Sequence, residues 1–137
     1  MTTIEEVLTS AATLGLDRLD AQLLLLQALN RPLHERTWLL AHDGDPLSEA
    51  ESAGFRDLVR RRLAGEPVAY LTGRKEFFGL DLQVDARVLV PRPDTETLVE
   101  WALAVLQGRP SPRIIDLGTG SGAIALALQR ARPDAWV

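Results

Sequence analysis

The first thirty residues carry apolar side chains at the spacing of helices. Apolar positions recur every three or four residues from Ile4 to Leu14, which predicts a helix that ends at Gly15. A second predicted helix follows an N-cap at Asp17 and runs to Leu29. Because this second helix is apolar on several sides, we expect it to lie in the middle of a small bundle.

Two further helices are predicted before residue 65. A short helix covers residues 36–40, and a longer one follows Ser48 and runs to about residue 63. Ser48 and Glu51 match the capping-box pattern at the start of the longer helix, and Gly65 and Pro67 stop it. Residues 1–64 therefore read as an all-helical unit.

From residue 76 the pattern changes to short strands, turns and two more helices. Residues 76–84 alternate in their second half and residues 87–90 are short and β-branched, so we expect the two segments to pair as a β-hairpin. Later segments predict a helix from about 94 to 107, a strand over 113–117, a helix over 123–131 and the opening of a strand over 135–137. This order begins a βαβ unit, which is too short to cover both faces of a sheet.

Composition restricts the class of protein. The 137 residues are 46% hydrophobic and 25% charged, as in ordinary folded domains. The net charge of −4 argues against a chain devoted to nucleic-acid binding. With no cysteine, disulfides and thiolate metal sites are excluded, and His34 and His42 lack metal-ligand spacing. No secretory leader and no membrane-length apolar run is present, so we expect a cytoplasmic protein with no membrane contact.

The segment most indicative of function is a glycine loop between the strand over 113–117 and the helix over 123–131. The candidate cofactor-binding residues there are Asp116, Gly118, Thr119, Gly120, Ser121 and Gly122. Alternating glycines allow a tight turn and a close approach of a ligand, and the following helix offers free N–H groups to an anion. Gly118, Gly120 and Ala123 also satisfy a dinucleotide fingerprint. Asp116 favours S-adenosylmethionine, because a carboxylate repels a pyrophosphate but suits a ligand with an ammonium and a sulfonium.

Three motifs, in order, carry a family resemblance. The first covers residues 60–73 (RRRLAGEPVAYLTG) with Glu76 and Phe77, the second covers residues 88–96 (VLVPRPDTE), and the third covers residues 114–128. Together they resemble the bacterial release-factor glutamine methyltransferases, the PrmC or HemK family. A sister family that methylates a ribosomal large-subunit protein differs after the Val-Pro-Arg breaker, which favours the release factor as the substrate.

The resemblance implies an organisation and an activity. It implies a helical substrate-recognition domain over residues 1–74, a β-hairpin linker over 75–90 and the first part of a Rossmann-like class I methyltransferase domain over 91–137, which is an α plus α/β fold class. The implied reaction is methylation, with S-adenosyl-L-methionine as cofactor, of the glutamine amide in the Gly-Gly-Gln motif of a peptide chain release factor. By motif match, residues 118–122 would contact the methionine part of the cofactor, Asp116 would lie beside its amino group, and Arg92 would join the approach to the site.

The family's catalytic signature, Asn-Pro-Pro-Tyr, does not occur in these residues. We therefore expect no catalytic residue within this chain, no metal, and an inactive fragment of a longer enzyme. Two other functions stay open: a ribosomal-protein glutamine methyltransferase, and a module that only binds a protein partner. A nicotinamide-dependent reductase is a third, distinguished by binding NADH.

Several other side chains have simpler expected roles. The basic run Arg60, Arg61 and Arg62 is expected to be a solvated helix end rather than an RNA contact. We expect Trp38 and Trp101 in the core or at a domain interface.

Overall fold

Five helices build the first of two units in the computed structural model, which describes residues 1–137. The first unit is Met1–Thr72, and its helices are α1 (Ile4–Thr13), α2 (Arg18–Ala28), α3 (Arg36–Ala41), α4 (Glu49–Leu63) and α5 (Val68–Thr72). The four helices predicted from apolar spacing are confirmed. The fifth is a single short turn of helix after Pro67 that the sequence pattern did not predict.

Helix α2 is the centre of this unit. Its side chains Leu24, Leu25 and Leu26 are fully buried, and α2 packs against α1, α3, α4 and α5. A helix with neighbours on so many sides needs apolar residues around most of its circumference, which the run of leucines supplies. The predicted central position of this helix is confirmed.

Helix ends in the first unit follow local rules that are legible in the sequence. Ser48 Oγ accepts from the N–H of Glu51 at 3.1 Å, and the Glu51 carboxylate accepts from the N–H of Ser48 at 2.8 Å, which is the predicted capping box. The Asp17 carboxylate accepts two N–H groups of α2, as predicted. At the other end of α2, Asn30 takes the left-handed conformation, with φ +54°, that usually belongs to glycine.

The second unit, Gly73–Val137, contains a hairpin and two helices. Strands β1 (Arg74–Phe77) and β2 (Leu80–Gln83) pair antiparallel, and they precede α6 (Thr95–Val105) and α7 (Ala123–Ala131), which pack together. Its most deeply buried side chains include Phe77, Val99, Ala127 and Leu128.

The expected pairing within the hairpin was wrong, although a hairpin is present. Phe78 and Gly79 have φ of +49° and +74°, so the chain reverses inside the segment that was read as one strand. Residues 87–90 are not a strand. The Asp85 side chain instead accepts the N–H of Arg87 at 2.9 Å and the Asp85 carbonyl accepts the N–H of Val88 at 3.1 Å, which closes a turn.

The expected parallel strands are reduced to one bridge. Arg113 and Trp136 form an isolated parallel bridge in which Ile114 N–H donates to the Trp136 carbonyl at 2.8 Å. Beyond it, Ile115 and Leu117 are 83% and 87% exposed, because no neighbouring strand covers them. The two bridged residues lie before and after α7 in the chain, which is the order of a βαβ unit. One bridge is not a sheet, so the Rossmann-like domain is not confirmed.

None of the seven helices combines the length and apolar character that a membrane crossing requires.

Candidate cofactor site

The glycine loop adopts a backbone that only glycine tolerates easily. Gly118, Gly120 and Gly122 have φ of +69°, +57° and +82°, so three alternating positions are left-handed. A Cβ built on Gly118 or Gly120 would meet no atom within 4 Å. Glycine is therefore required at these two positions by the backbone conformation, and the space above the loop is open.

Asp116 is held at the base of this loop by Thr119. Thr119 Oγ1 donates to Asp116 Oδ2 at 2.9 Å, and the Thr119 carbonyl accepts the N–H of Gly122 at 2.9 Å. Asp116 is half-buried and its second oxygen, Oδ1, makes no hydrogen bond within the protein. The loop thus offers a fixed carboxylate that can accept a hydrogen bond from a ligand, and an ammonium group suits it best.

Helix α7 begins directly after the loop without a side-chain cap. Its N-cap is Gly122, which carries no hydrogen-bonding side chain. The N–H groups of the first turn and the positive end of the helix dipole are therefore available to an anionic group. A carboxylate acceptor and a helix N-terminus in the same loop match a zwitterion, which carries an ammonium and a carboxylate on one carbon.

An open pocket of about 410 Å³ lies beside the loop. Gly120 and Ser121 form one wall, and the segment that leaves the hairpin forms the other, through Gln83, Val84, Asp85, Arg87 and Val88. Of the predicted site residues, only Gly120 and Ser121 line this pocket. The other loop residues belong to the loop but do not line the pocket: Asp116, Gly118, Thr119 and Gly122. Arg92 is exposed and does not line the pocket either.

The sequence pattern predicts a strand over residues 87–90 and therefore does not indicate that the hairpin exit forms a wall of the pocket. Asp85 and Arg87 pair closely there: Arg87 Nε lies 2.9 Å from Asp85 Oδ1, and Nη2 lies 2.6 Å from Oδ2. The hydrogen bonds from the Arg87 side chain and backbone lower the pKa of Asp85 to about 2. A ligand in the pocket therefore meets an ion pair of zero net charge on this wall. An Asp just after a strand, whose side chain can accept the backbone N–H two residues further on, is the signal that indicates such a turn.

The basic run at the end of α4 is paired within its own unit. Arg60 lies 2.6 Å from Asp57, Arg61 lies 2.8 Å from Glu66, and Arg62 lies 2.9 Å from Asp20. The hydrogen bond with Arg61 also lowers the pKa of Glu66. These three cations are neutralised locally, in keeping with the expected helix-end role.

The two tryptophans Trp38 and Trp101, both expected in the core or at a domain interface, differ in their exposure. Trp38 is half-buried, stacked on His42 with ring centroids 4.1 Å apart, and lies under the Arg31 guanidinium at 3.7 Å. Trp101 is 64% exposed, so the prediction of a core position is wrong for it.

Comparison with known proteins assigns the family. Residues 2–73 match the family described as the PrmC N-terminal domain. The chain is 52% identical over all 137 of its residues to a release factor glutamine methyltransferase of Bordetella pertussis, covering 48% of that protein. It is 49% identical over 130 residues to one of Xylella fastidiosa and 50% identical over 117 residues to one of Escherichia coli, covering 46% and 41% of them. The chain therefore spans about half the length of the curated relatives it matches. With a family match over more than half of its residues, the chain belongs to the PrmC family.

Proposed function

We propose that this chain supplies the cofactor-binding loop of an S-adenosylmethionine-dependent methyltransferase whose substrate is the Gly-Gly-Gln glutamine of a peptide chain release factor. The observation that carries the proposal is the loop itself: three left-handed glycines follow a half-buried Asp116 and lead into an uncapped helix. The printed name of the Bordetella pertussis relative, which matches the whole chain at 52% identity, supports the substrate.

The loop favours S-adenosylmethionine over a dinucleotide on charge. A pyrophosphate placed at the N-terminus of α7 would also approach the Asp116 carboxylate, whose Oδ1 makes no hydrogen bond within the protein. The pyrophosphate and the carboxylate are both negatively charged, so their repulsion opposes dinucleotide binding. The methionine part of S-adenosylmethionine instead brings an ammonium to Asp116 and a carboxylate to the helix N-terminus, so both features are used.

Each residue of the loop has a definite task in this proposal. Asp116 binds the amino group, Thr119 keeps Asp116 in place, and the backbone at Gly118 and Gly120 lets the ligand approach closely. Ser121 and the hairpin exit bound the rest of the pocket. When bound, S-adenosylmethionine supplies a methyl group on a sulfonium. Because an amide nitrogen is a weak nucleophile, orientation of that methyl is the main contribution that these residues make.

The helical unit is proposed to recognise the protein substrate. Residues 1–74 would bind the release factor, residues 75–90 would link, and residues 91–137 would begin the catalytic domain, in the cytoplasm where translation ends. The separation of Met1–Thr72 as a compact unit with its own buried core supports this division.

A chimera with a longer relative tests the proposal. Residues 1–137 replace the matching portion of the Bordetella pertussis relative, to which they are 52% identical. The chimera is incubated with S-adenosylmethionine and a release factor, and the Gly-Gly-Gln peptide is analysed by mass spectrometry. We expect one methyl group on the glutamine.

Two glycine variants of the chimera show whether the loop is responsible. Gly120→Ala forces a side chain into φ +57° and should slow methylation about tenfold, because a left-handed L-residue costs on the order of 1–2 kcal/mol. Gly44→Ala, at an open site in the helical unit where no positive φ is required, should leave the rate unchanged. Methylation of the ribosomal protein instead of the release factor would refute the proposed substrate. A folded chimera that binds NADH but not S-adenosylmethionine would refute the proposed cofactor.

A further inference from the structure

The turn of the hairpin is strained and is held by a side chain at each of its two residues. Phe78 adopts φ +49°, which a bulky residue rarely does. Glu96, in the first turn of α6, accepts the N–H of Phe78 through Oε1 at 2.8 Å. Arg130, near the end of α7, donates from Nη1 to the Gly79 carbonyl at 2.9 Å. Hydrogen bonds from ionised groups are stronger than neutral ones, so both contacts restrain the turn.

These contacts lie at the opposite end of α7 from the pocket. Strand β2 runs from Leu80, beside the turn, to Gln83, which lines the pocket, and covers roughly 10 Å at 3.3 Å a residue. Helix α7 runs the other way, from the glycine loop at the pocket to Arg130 at the turn, over a similar length. The hairpin turn therefore touches α7 at Arg130, and the hairpin exit faces Gly120 and Ser121, in the loop before α7, across the pocket.

We propose that Glu96 and Arg130 are positioning residues: they clamp the hairpin turn to α6 and α7 and thereby set the distance between the two walls of the cofactor pocket. This inference rests on the proposed function for its ligand. Neither side chain lines the pocket. Their effect reaches the pocket through β2, which pairs with β1 alone. Because one paired neighbour restrains such a short strand weakly, contacts at both of its ends are needed to fix its direction.

The choice of partners distinguishes this clamp from an ordinary surface ion pair. Glu96 and Arg130 carry opposite charges on two packed helices, yet each binds a backbone group of the hairpin. A Cβ added at Gly79 would lie 3.8 Å from Arg130 Nη1, so the guanidinium sits directly against the turn.

Hydrogen exchange on the ligand-free chain tests the clamp. The probes are the Val84 amide, which donates to the Gly73 carbonyl at 3.0 Å, and the Val88 amide, which donates to the Asp85 carbonyl at 3.1 Å. In Arg130→Met we expect both amides to exchange about tenfold faster, while the core of α6 around Val99 is unchanged. Arg130→Lys, which keeps a cationic donor, should restore most of the protection. Arg109→Met, at an exposed arginine outside the clamp, should have no effect.

Binding of S-adenosylhomocysteine by calorimetry provides the second readout. Arg130→Met and Glu96→Ala should each raise the Kd about tenfold, and Arg130→Lys should recover most of the affinity. The double variant should raise the Kd by less than the product of the two single increases. If the wild-type chain ignores S-adenosylhomocysteine while the exchange pattern is as expected, the proposed function fails and the clamp stands. If exchange at Val84 and Val88 is unchanged in Arg130→Met, the clamp is refuted whatever the affinity. Faster exchange throughout both helices would also refute it, because that result is general destabilisation.

Discussion

The central leucines of α2 carry a large share of the stability of the helical unit, and Leu25→Ala measures it. Leu25 is fully buried in a helix with four packed neighbours, so its truncation leaves a cavity with little room to collapse. Such substitutions cost about 3–5 kcal/mol. A unit of this length, Met1–Thr72, is worth roughly 4–11 kcal/mol at the usual stability per residue. We therefore expect Leu25→Ala to remove between about a quarter and all of the free energy of unfolding.

Urea unfolding followed by tryptophan fluorescence isolates this unit. Replacing the exposed Trp101 and Trp136 with phenylalanine leaves Trp38 as the reporter, half-buried in the helical unit. Leu19→Ala is the matched control, because Leu19 lies on the same helix but is 45% exposed, and it should cost under about 1 kcal/mol. Equal losses in the two variants, or a loss below about 1 kcal/mol for Leu25→Ala, would refute the central role of α2.

Three smaller perturbations test other parts of the structure. Ser52→Ala should raise the free energy of unfolding by about 0.5–1 kcal/mol, since the buried Ser52 hydroxyl has no hydrogen-bond partner. A lower free energy of unfolding in urea would show that the hydroxyl does have a partner. Ser48→Ala removes the capping box and should cost about 1 kcal/mol in the same assay, while an unchanged midpoint would contradict the cap. Hydrogen bonds from Arg132 and Ser111 lower the pKa of Asp134 to about 2 from 3.8, so the stability that they contribute is present above pH 4 and is lost as the pH falls towards 2. Asp134→Asn should therefore lower the melting temperature at pH 6 and match the wild type near pH 2, and a constant difference between the two proteins would disprove this linkage.

The helical unit was predictable because its determinants are local. Helix spacing, the Ser48 capping box and the Gly15 and Gly65 stops all act within a few residues, and the structure has each of them. The run of leucines in α2 also predicted the centre of the bundle. The short helix α5 escaped because five residues carry too little periodicity to detect.

The hairpin and the pocket depended on contacts that are distant in sequence. A Phe-Gly pair is a poor hairpin turn by local preference, since Phe78 must take a positive φ. That turn is fixed by Glu96 and Arg130, which lie 18 and 51 residues away, and no pattern within residues 76–90 shows them. The glycine loop was visible as a motif, but its partner wall at Asp85 and Arg87 followed from the corrected turn.

The strand predictions failed where a strand needs neighbours. The apolar run at residues 113–117 has the composition of a buried parallel strand, yet it holds one bridge and exposes Ile115 and Leu117. A strand is stable only beside partners that use its N–H and C=O groups. The composition of residues 113–117 therefore indicated a tendency to form a strand, whereas the structure of the segment depends on how many paired neighbours it has, and it has one bridge.

Whether the glycine loop and the hairpin exit together bind S-adenosylmethionine can be tested by titration of the ¹⁵N-labelled chain followed by NMR. On addition of S-adenosylhomocysteine, we predict chemical-shift changes concentrated at Gly120 and Ser121 on one wall of the pocket and at Val84 and Arg87 on the other, with none on addition of NADH. Shifts with NADH alone, or shifts with S-adenosylhomocysteine only at other residues, would contradict binding of S-adenosylmethionine in this pocket.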